Sequence, residues 1–135
     1  MNYIFIGVAC LYVGAVIFSI LRSISGSQDP NINETTNRIV KIPLWSLLPL
    51  VIGPIVEEIL FRKILLKKLI VRMDTLWSVL LSSFLFSILH LDVFFLPYFF
   101  NSVIYSILYL KTNDLKVPIL AHIIYNLTAL SLVFL

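Results

Sequence analysis

Residues 53–66 read "GPIVEEILFRKILL". They set two adjacent glutamates and an arginine inside a chain that is otherwise strongly apolar. Of its 135 residues, 60% are hydrophobic and 13% are charged. A soluble domain carries roughly 45–50% apolar and about 25% charged residues, and so small a body cannot hide the excess from water. Lipid can, so the chain reads as an integral membrane protein. In that setting a charge at the bilayer centre costs on the order of 3 kcal/mol even on lenient scales. Glu57, Glu58 and Arg62 therefore stand where charge is most expensive, and the reading of the chain turns on why.

Working outward, the stretch lies in the second of five apolar segments. The first runs from about Tyr3 to Leu21 and gives way after Arg22 to "SISGSQDPNINETTNR", a polar loop rich in turn formers. The second runs from Leu44 to Arg72 with Pro49 and Pro54 inside it, which predicts kinks or a broken helix. Asp74-Thr75 caps a third, Leu76 to His90; the fourth is Phe94 to Leu110 and the fifth Val117 to Leu135. A span needs ~20 residues, so the expected fold is all-α, a polytopic membrane bundle of about five transmembrane helices. The expected division is an N-terminal helix and loop over 1–43 and a core over 44–135. "MNYIFIGVACLYVGAVIF" lacks a basic leader and a small-residue cleavage site, so it reads as a retained helix. Cys10 is the single cysteine, which leaves no disulfide framework.

The basic residues sit at helix ends, so the net charge of +3 reads as topology rather than as a nucleic-acid patch. Lys63, Lys67, Lys68 and Arg72 outnumber Asp74, whereas Arg22, Arg38 and Lys41 are nearly balanced by Asp29 and Glu34. The positive-inside rule then puts Arg72, Lys111, Lys116 and the N-terminus in the cytoplasm. Lys67, Lys68 and Arg72 read as a headgroup anchor, and "FFLPYFF" (94–100) as lipid-facing.

Five ionisable residues fall within the spans: Glu57, Glu58, Arg62, His90 and His122. Glu58 and Arg62 are four apart, acid before base, the better order for a helical pair. Glu57 is turned about 100° away from Glu58, which leaves it free to face a cavity. Ser83 and Ser87 flank the His90 face and permit close helix approach. His122 and Asn126 share one helical face. Hydrocarbon gives these polar faces reason to converge inside the bundle. Depth agrees for two of them: Glu57 is about 17 Å from Lys68 along a helix and His90 about 21 Å from Leu76, but His122 is only about 6 Å from Pro118. His122 therefore reads as too shallow unless its helix starts earlier or the helices tilt.

"EEILFR", "FSILH" and "HIIYN" occur in that order on successive segments. Together they resemble the CAAX protease and bacteriocin-processing (CPBP, or Abi) family of intramembrane proteases, over roughly residues 44 to 130. "LYLKTNDLKVPILAHIIYNL" resembles the family's run into its last motif. The resemblance implies that Glu57 is the general base, that His90 helps it activate water, and that His122 and Asn126 steady the oxyanion. Glu58 and Arg62 would organise the site. A carboxylate in a low-dielectric cavity is a stronger base than in water, and donors on a rigid helix are preorganised for developing charge. Two histidines and a glutamate have the chemistry for zinc with one open position, yet no His-Glu-x-x-His helix is present, and metal-free water activation is the favoured reading. The chain is short for the family, and Ser102 and Ser106 stand where the family often has glycines.

Plainer readings compete. The Glu57–Glu58–Arg62 set as a packing lock alone is the weaker alternative, since intramembrane ionisable residues are functional by default. Asn126, and still more Asn101, are candidates for interhelical glue. The expected function is an intramembrane endopeptidase acting on a peptide or membrane-protein substrate in a bacterial plasma membrane. The alternative is a non-proteolytic bacteriocin self-immunity or partner-binding protein on the same scaffold. A proton pathway ranks last, because no chain of titratable groups crosses the membrane. The oligomeric state is not legible.

Overall fold

The computed structural model describes residues 2–26, 43–92 and 94–133. The polar loop with Asp29, Glu34, Arg38 and Lys41, and the last two residues of the fifth segment, lie outside the described residues. The described part is all-α. Helix α1 spans Asn2–Ser25 and α2 spans Pro43–Glu58. The chain continues without a break as a π-helical stretch, Ile59–Leu66, and a short α3, Lys67–Ile70. Helices α4 (Thr75–Ile88), α5 (Leu96–Thr112) and α6 (Lys116–Val133) complete it.

The prolines do not break the helix. Pro49 and Pro54 both sit within α2, which runs on to Glu58. The irregularity comes after them, where the helix widens to the i→i+5 register of Ile59–Leu66. Such π stretches are rare and cluster at functional sites. Here the wide turn is braced from α4, since the Ser82 hydroxyl donates to the Phe61 carbonyl at 3.2 Å.

Small residues set the helix spacing. On α4, Ser78, Ser82, Ser83 and Ser87 are all buried, and so are Ser102 and Ser106 on α5, so these two helices approach closely. On α1 the close contacts are glycines. A Cβ at Gly7 would stand 2.6 Å from Leu108 Cδ1, and one at Gly14 would overlap the Phe100 ring. Gly7, Leu11 and Gly14 thus form the buried stripe that seats α1 on α5. Leu11 joins Tyr105, Leu108 and Ala121 in one apolar cluster; Leu66, Val79 and Tyr109 form another. The Tyr12 hydroxyl donates to Thr128 on α6. Helix α1 is therefore packed on the core.

The turn between α4 and α5 is also tied to α1. Arg22 pairs with Asp92 at 2.8 Å, and Asp92 accepts the Phe94 backbone N–H at 2.9 Å. Leu91 lies between with φ 52°, a left-handed conformation that costs a side-chain-bearing residue roughly 1–2 kcal/mol. In the run 94–100, Leu96 is exposed and the other residues are half-buried. Phe94 and Phe100 meet Phe18 at 6.3 and 5.6 Å, and Phe95 meets Phe84 at 6.2 Å.

Large apolar side chains cover the outside, among them Phe5, Val13 and Ile24 on α1 and Leu76 and Trp77 on α4. Among the described residues one helix, α1, is both long and apolar enough to cross a membrane by itself. Helix α4 is apolar but has 14 residues, about 21 Å, short of the ~30 Å hydrocarbon core. The run from α2 to α3 is long enough but carries Glu57, Glu58, Arg62, Lys63, Lys67 and Lys68.

Candidate active site

Arg62 and Glu58 are both completely buried, and Arg62 Nε lies 3.0 Å from Glu58 Oε2. This is the pair that the four-residue spacing predicts. It is an ion pair without in-line hydrogen-bond geometry at those two atoms. The guanidinium finds its hydrogen bonds on α5 instead: Nη2 donates to Ser102 O at 3.1 Å and to Ser102 Oγ at 2.7 Å. Aromatic rings enclose it, with the Phe86 centroid 4.8 Å and the Tyr105 centroid 5.4 Å from the guanidinium carbon. A cation over such faces is stabilised by the ring quadrupole.

The other oxygen of Glu58 reaches α6. Its Oε1 lies 3.0 Å from His122 Nδ1, and because a carboxylate only accepts, Nδ1 is the donor. That bond leaves His122 Nε2 facing the second carboxylate, with Glu57 Oε2 at 3.8 Å. Glu57 is 35% exposed whereas Glu58 is wholly buried. The two glutamates thus differ as their positions imply. Glu58 is held between Arg62 and His122, and Glu57 faces outward beside the same histidine.

The depth mismatch for His122 narrows by about 3 Å, one residue's rise from each of two sources. Helix α6 begins at Lys116 rather than Val117, and His122 meets Glu58, the member of the glutamate pair nearer to the basic end. His90 is reached less directly. It lies in the turn just after α4, and its Nδ1 donates to the Phe86 carbonyl at 3.0 Å. Its ring centroid stands 4.7 Å from that of Phe86, which is in turn 6.2 Å from that of His122. Both imidazoles therefore border one phenyl ring. Asn126, one turn beyond His122, is half-buried and has no hydrogen-bond partner among the described residues. Asn101 is buried on α5.

Among the described residues no group of three or more His, Cys, Asp or Glu side chains stands close enough to hold a metal ion. His122 has Nδ1 engaged by Glu58, and His90 is set off behind Phe86. The donor set does not fit a three-ligand zinc site. A groove lined by Arg72, Asp74 and Trp77, among others, opens at the turn between α3 and α4. It holds no histidine and lies at the far end of the π stretch from Glu57.

Several site residues escape a reading of single motifs. Ser102 looks like a packing residue but anchors Arg62. Tyr105 stacks on His122 at 4.5 Å with 20° between planes, and Tyr98 stacks on His90 at 4.3 Å and 26°. The available signal was the stripe Tyr98, Ser102, Tyr105, Tyr109 at i, i+4, i+7 and i+11 on an otherwise apolar helix.

Comparison with known proteins gives this geometry a family. Residues 39–128 match the family described as Type II CAAX prenyl endopeptidase Rce1-like, a span that contains every residue of the cluster. The chain belongs to that family. It is 33% identical over 102 residues to the putative membrane peptidase YdiL of Bacillus subtilis, covering 75% of this chain and 42% of that protein. It is 31% identical over 131 residues to the membrane-embedded CAAX protease MroQ of Staphylococcus aureus, covering 90% of this chain and 53% of that protein. The chain thus spans about half the length of these curated relatives. No solved structure matches it significantly. Family membership and the apolar exterior together make it an integral membrane protein.

Removing one partner of a buried ion pair costs about 3–5 kcal/mol, because the other is left uncompensated. Arg62→Met is therefore expected to lower the thermal midpoint in detergent sharply. Adding Glu58→Gln to it should restore part of the loss. Strict additivity of the two single losses would mean that the pair is not coupled.

Proposed function

We propose that the chain is an intramembrane endopeptidase, CAAX prenyl protease-like, in which Glu57 and His122 activate a water molecule. The observation that carries this reading is the asymmetry of the two glutamates. Glu58, buried between Arg62 and His122, fixes the imidazole in one tautomer. Glu57, partly exposed, faces the opposite ring nitrogen at 3.8 Å. The arrangement follows the logic of a hydrolytic triad, in which a buried carboxylate orients a histidine whose other nitrogen handles the proton.

In this scheme Glu57 takes a proton from water as the oxygen attacks the substrate carbonyl carbon. The carbonyl oxygen becomes an oxyanion. Glu57 hands that proton on to His122 Nε2, which restores the carboxylate. The protonated imidazole donates from both nitrogens, so Nδ1 keeps Glu58 while Nε2 delivers the proton to the departing amine as the oxyanion collapses and the C–N bond breaks. His90 presents its remaining nitrogen from the neighbouring turn as a second polar group for water or oxyanion, and Asn126 is the further oxyanion donor that the resemblance implies. The residues present do not form a metal cluster, so no step is assigned to zinc. The substrates are peptide or membrane-protein segments, with prenylated C-terminal peptides first by family.

The fold in its bilayer is read as about five membrane-crossing segments: α1, the α2–π–α3 run, α4, α5 and α6. Lys67, whose Nζ lies 5.7 Å over the Tyr109 ring, brings the basic end of the second run beside Lys111 and Lys116. That collection of cations is assigned to the cytoplasmic face of a bacterial plasma membrane. The N-terminus is then inside, and Arg22 and Asp92 lie at the outer surface.

In proteoliposomes, Glu57→Gln is expected to lower cleavage of a farnesylated peptide ending in Cys-aliphatic-aliphatic-X by about 10²–10⁴-fold, with normal accumulation and no effect of 1,10-phenanthroline on the wild type. Undiminished biological activity of Glu57→Gln would instead favour the partner-binding alternative. For orientation, Leu91→Cys in a Cys10→Ser background should react with an impermeant maleimide added to intact cells. Reaction only after lysis would invert the topology.

A further inference from the structure

Two histidines on different elements are held in the same way. His122 has Nδ1 bonded to Glu58 Oε1 at 3.0 Å and one face on Tyr105, 4.5 Å between centroids and 20° between planes. His90 has Nδ1 bonded to the Phe86 carbonyl at 3.0 Å and one face on Tyr98, 4.3 Å and 26°. In each case a single in-plane hydrogen bond fixes one ring atom but leaves the ring able to rotate about that bond. A nearly parallel tyrosine removes that rotation, because near-parallel ring contacts have a preferred separation and tilt. The outcome is an imidazole whose plane is set and whose Nε2 is presented.

Both tyrosines come from α5, seven residues and two turns apart, so they lie on one face of one rigid helix. Ser102, which holds Arg62, sits between them on that face. Tyr105 is fully buried, yet its hydroxyl has no hydrogen-bond partner among the described residues. A buried hydroxyl without a partner carries a cost, so hydrogen bonding does not account for this tyrosine; its ring stacks on His122 and also lies under the Arg62 guanidinium at 5.4 Å.

We propose that Tyr98 and Tyr105 are positioning residues that fix the ring planes of His90 and His122 from one face of α5. The proposal rests on the proteolytic reading for its catalytic consequence, but the ring-clamping itself is independent of it. Helix α5 thereby becomes the frame of the site: one straight element sets the mutual orientation of two imidazoles and, through Ser102, of the guanidinium behind them. Loss of orientation at a reacting group costs on the order of 10²-fold in rate, so a clamp of this kind acts on kcat and leaves substrate capture alone.

The test uses the full chain in lipid and reads each histidine separately. Wild type, Tyr105→Leu, Tyr105→Phe, Tyr98→Leu, Tyr98→Phe and, as a packing control on the same stripe, Tyr109→Leu are treated with diethyl pyrocarbonate. Modification at His90 and His122 is followed by mass spectrometry. Tyr105→Leu is expected to raise the modification rate of His122 several-fold and leave His90 unchanged; Tyr98→Leu does the reverse. The phenylalanine variants keep both rates, because the ring is retained. Tyr109→Leu moves neither rate. On the farnesylated peptide, each leucine variant should lower kcat by about ten- to a hundredfold with KM unchanged, and each phenylalanine variant should rescue it. Equal acceleration at both histidines would mean general loosening and would overturn the clamp, as would unchanged rates in the leucine variants. If the wild type cleaves nothing while the paired reactivity pattern appears, the clamp stands and the protease reading falls. If Glu57→Gln abolishes cleavage but the leucine variants match wild type in both readouts, the reverse holds.

Discussion

Arg62 and Glu58 meet at 3.0 Å with no exposure to solvent, and much of the site is arranged around that contact. Two ions removed from water cost several kcal/mol each unless each finds a partner and hydrogen bonds. The chain meets this demand from three helices beyond the pair's own: Ser102 of α5 binds the guanidinium, His122 of α6 binds the carboxylate, and Phe86 of α4 covers the cation. A charge pair that recruits one group from each neighbour also fixes where those neighbours sit. Buried serines and glycines then let the helices come close enough for these contacts to form.

The same network explains why two glutamates are adjacent. With the Glu58 carboxylate committed to structure, the preceding residue, Glu57, is rotated out of the pair and faces the far nitrogen of the same histidine. Proximity to Glu58, Arg62 and His122 places Glu57 in a strongly organised local field, while it remains partly exposed. Electrostatic preorganisation of this kind does not have to be assembled during a reaction.

Much of this was legible in the sequence. The apolar content and the segment lengths gave an all-helical reading, and the spacing of Glu58 and Arg62 gave their pairing. The order of "EEILFR", "FSILH" and "HIIYN" gave the family. What periodicity could not show was anything set by contacts between distant segments. The π stretch follows Pro54 but is not encoded by any single residue type. Ser102 has the appearance of a small packing residue, because its partner lies forty positions earlier. Tyr98 was hidden in an aromatic run that reads as a lipid-facing belt, and its stack on His90 is a contact between segments. Asn126, paired with His122 by spacing, shares its helix face without sharing its hydrogen bonds.

The central claim is that His122 is tied through Nδ1 to a buried carboxylate, leaving Nε2 toward Glu57. Its most direct test is a solid-state NMR distance measurement in lipid, with ¹⁵N-labelled histidine and ¹³C-carboxyl-labelled glutamate and Glu58→Gln as the assignment control. The account predicts strong ¹³C–¹⁵N dephasing between the Glu58 carboxyl and His122 Nδ1, at hydrogen-bond range, and its disappearance in the variant. Absence of that dephasing in the wild type, or a stronger one from Glu57 to Nδ1, would contradict it.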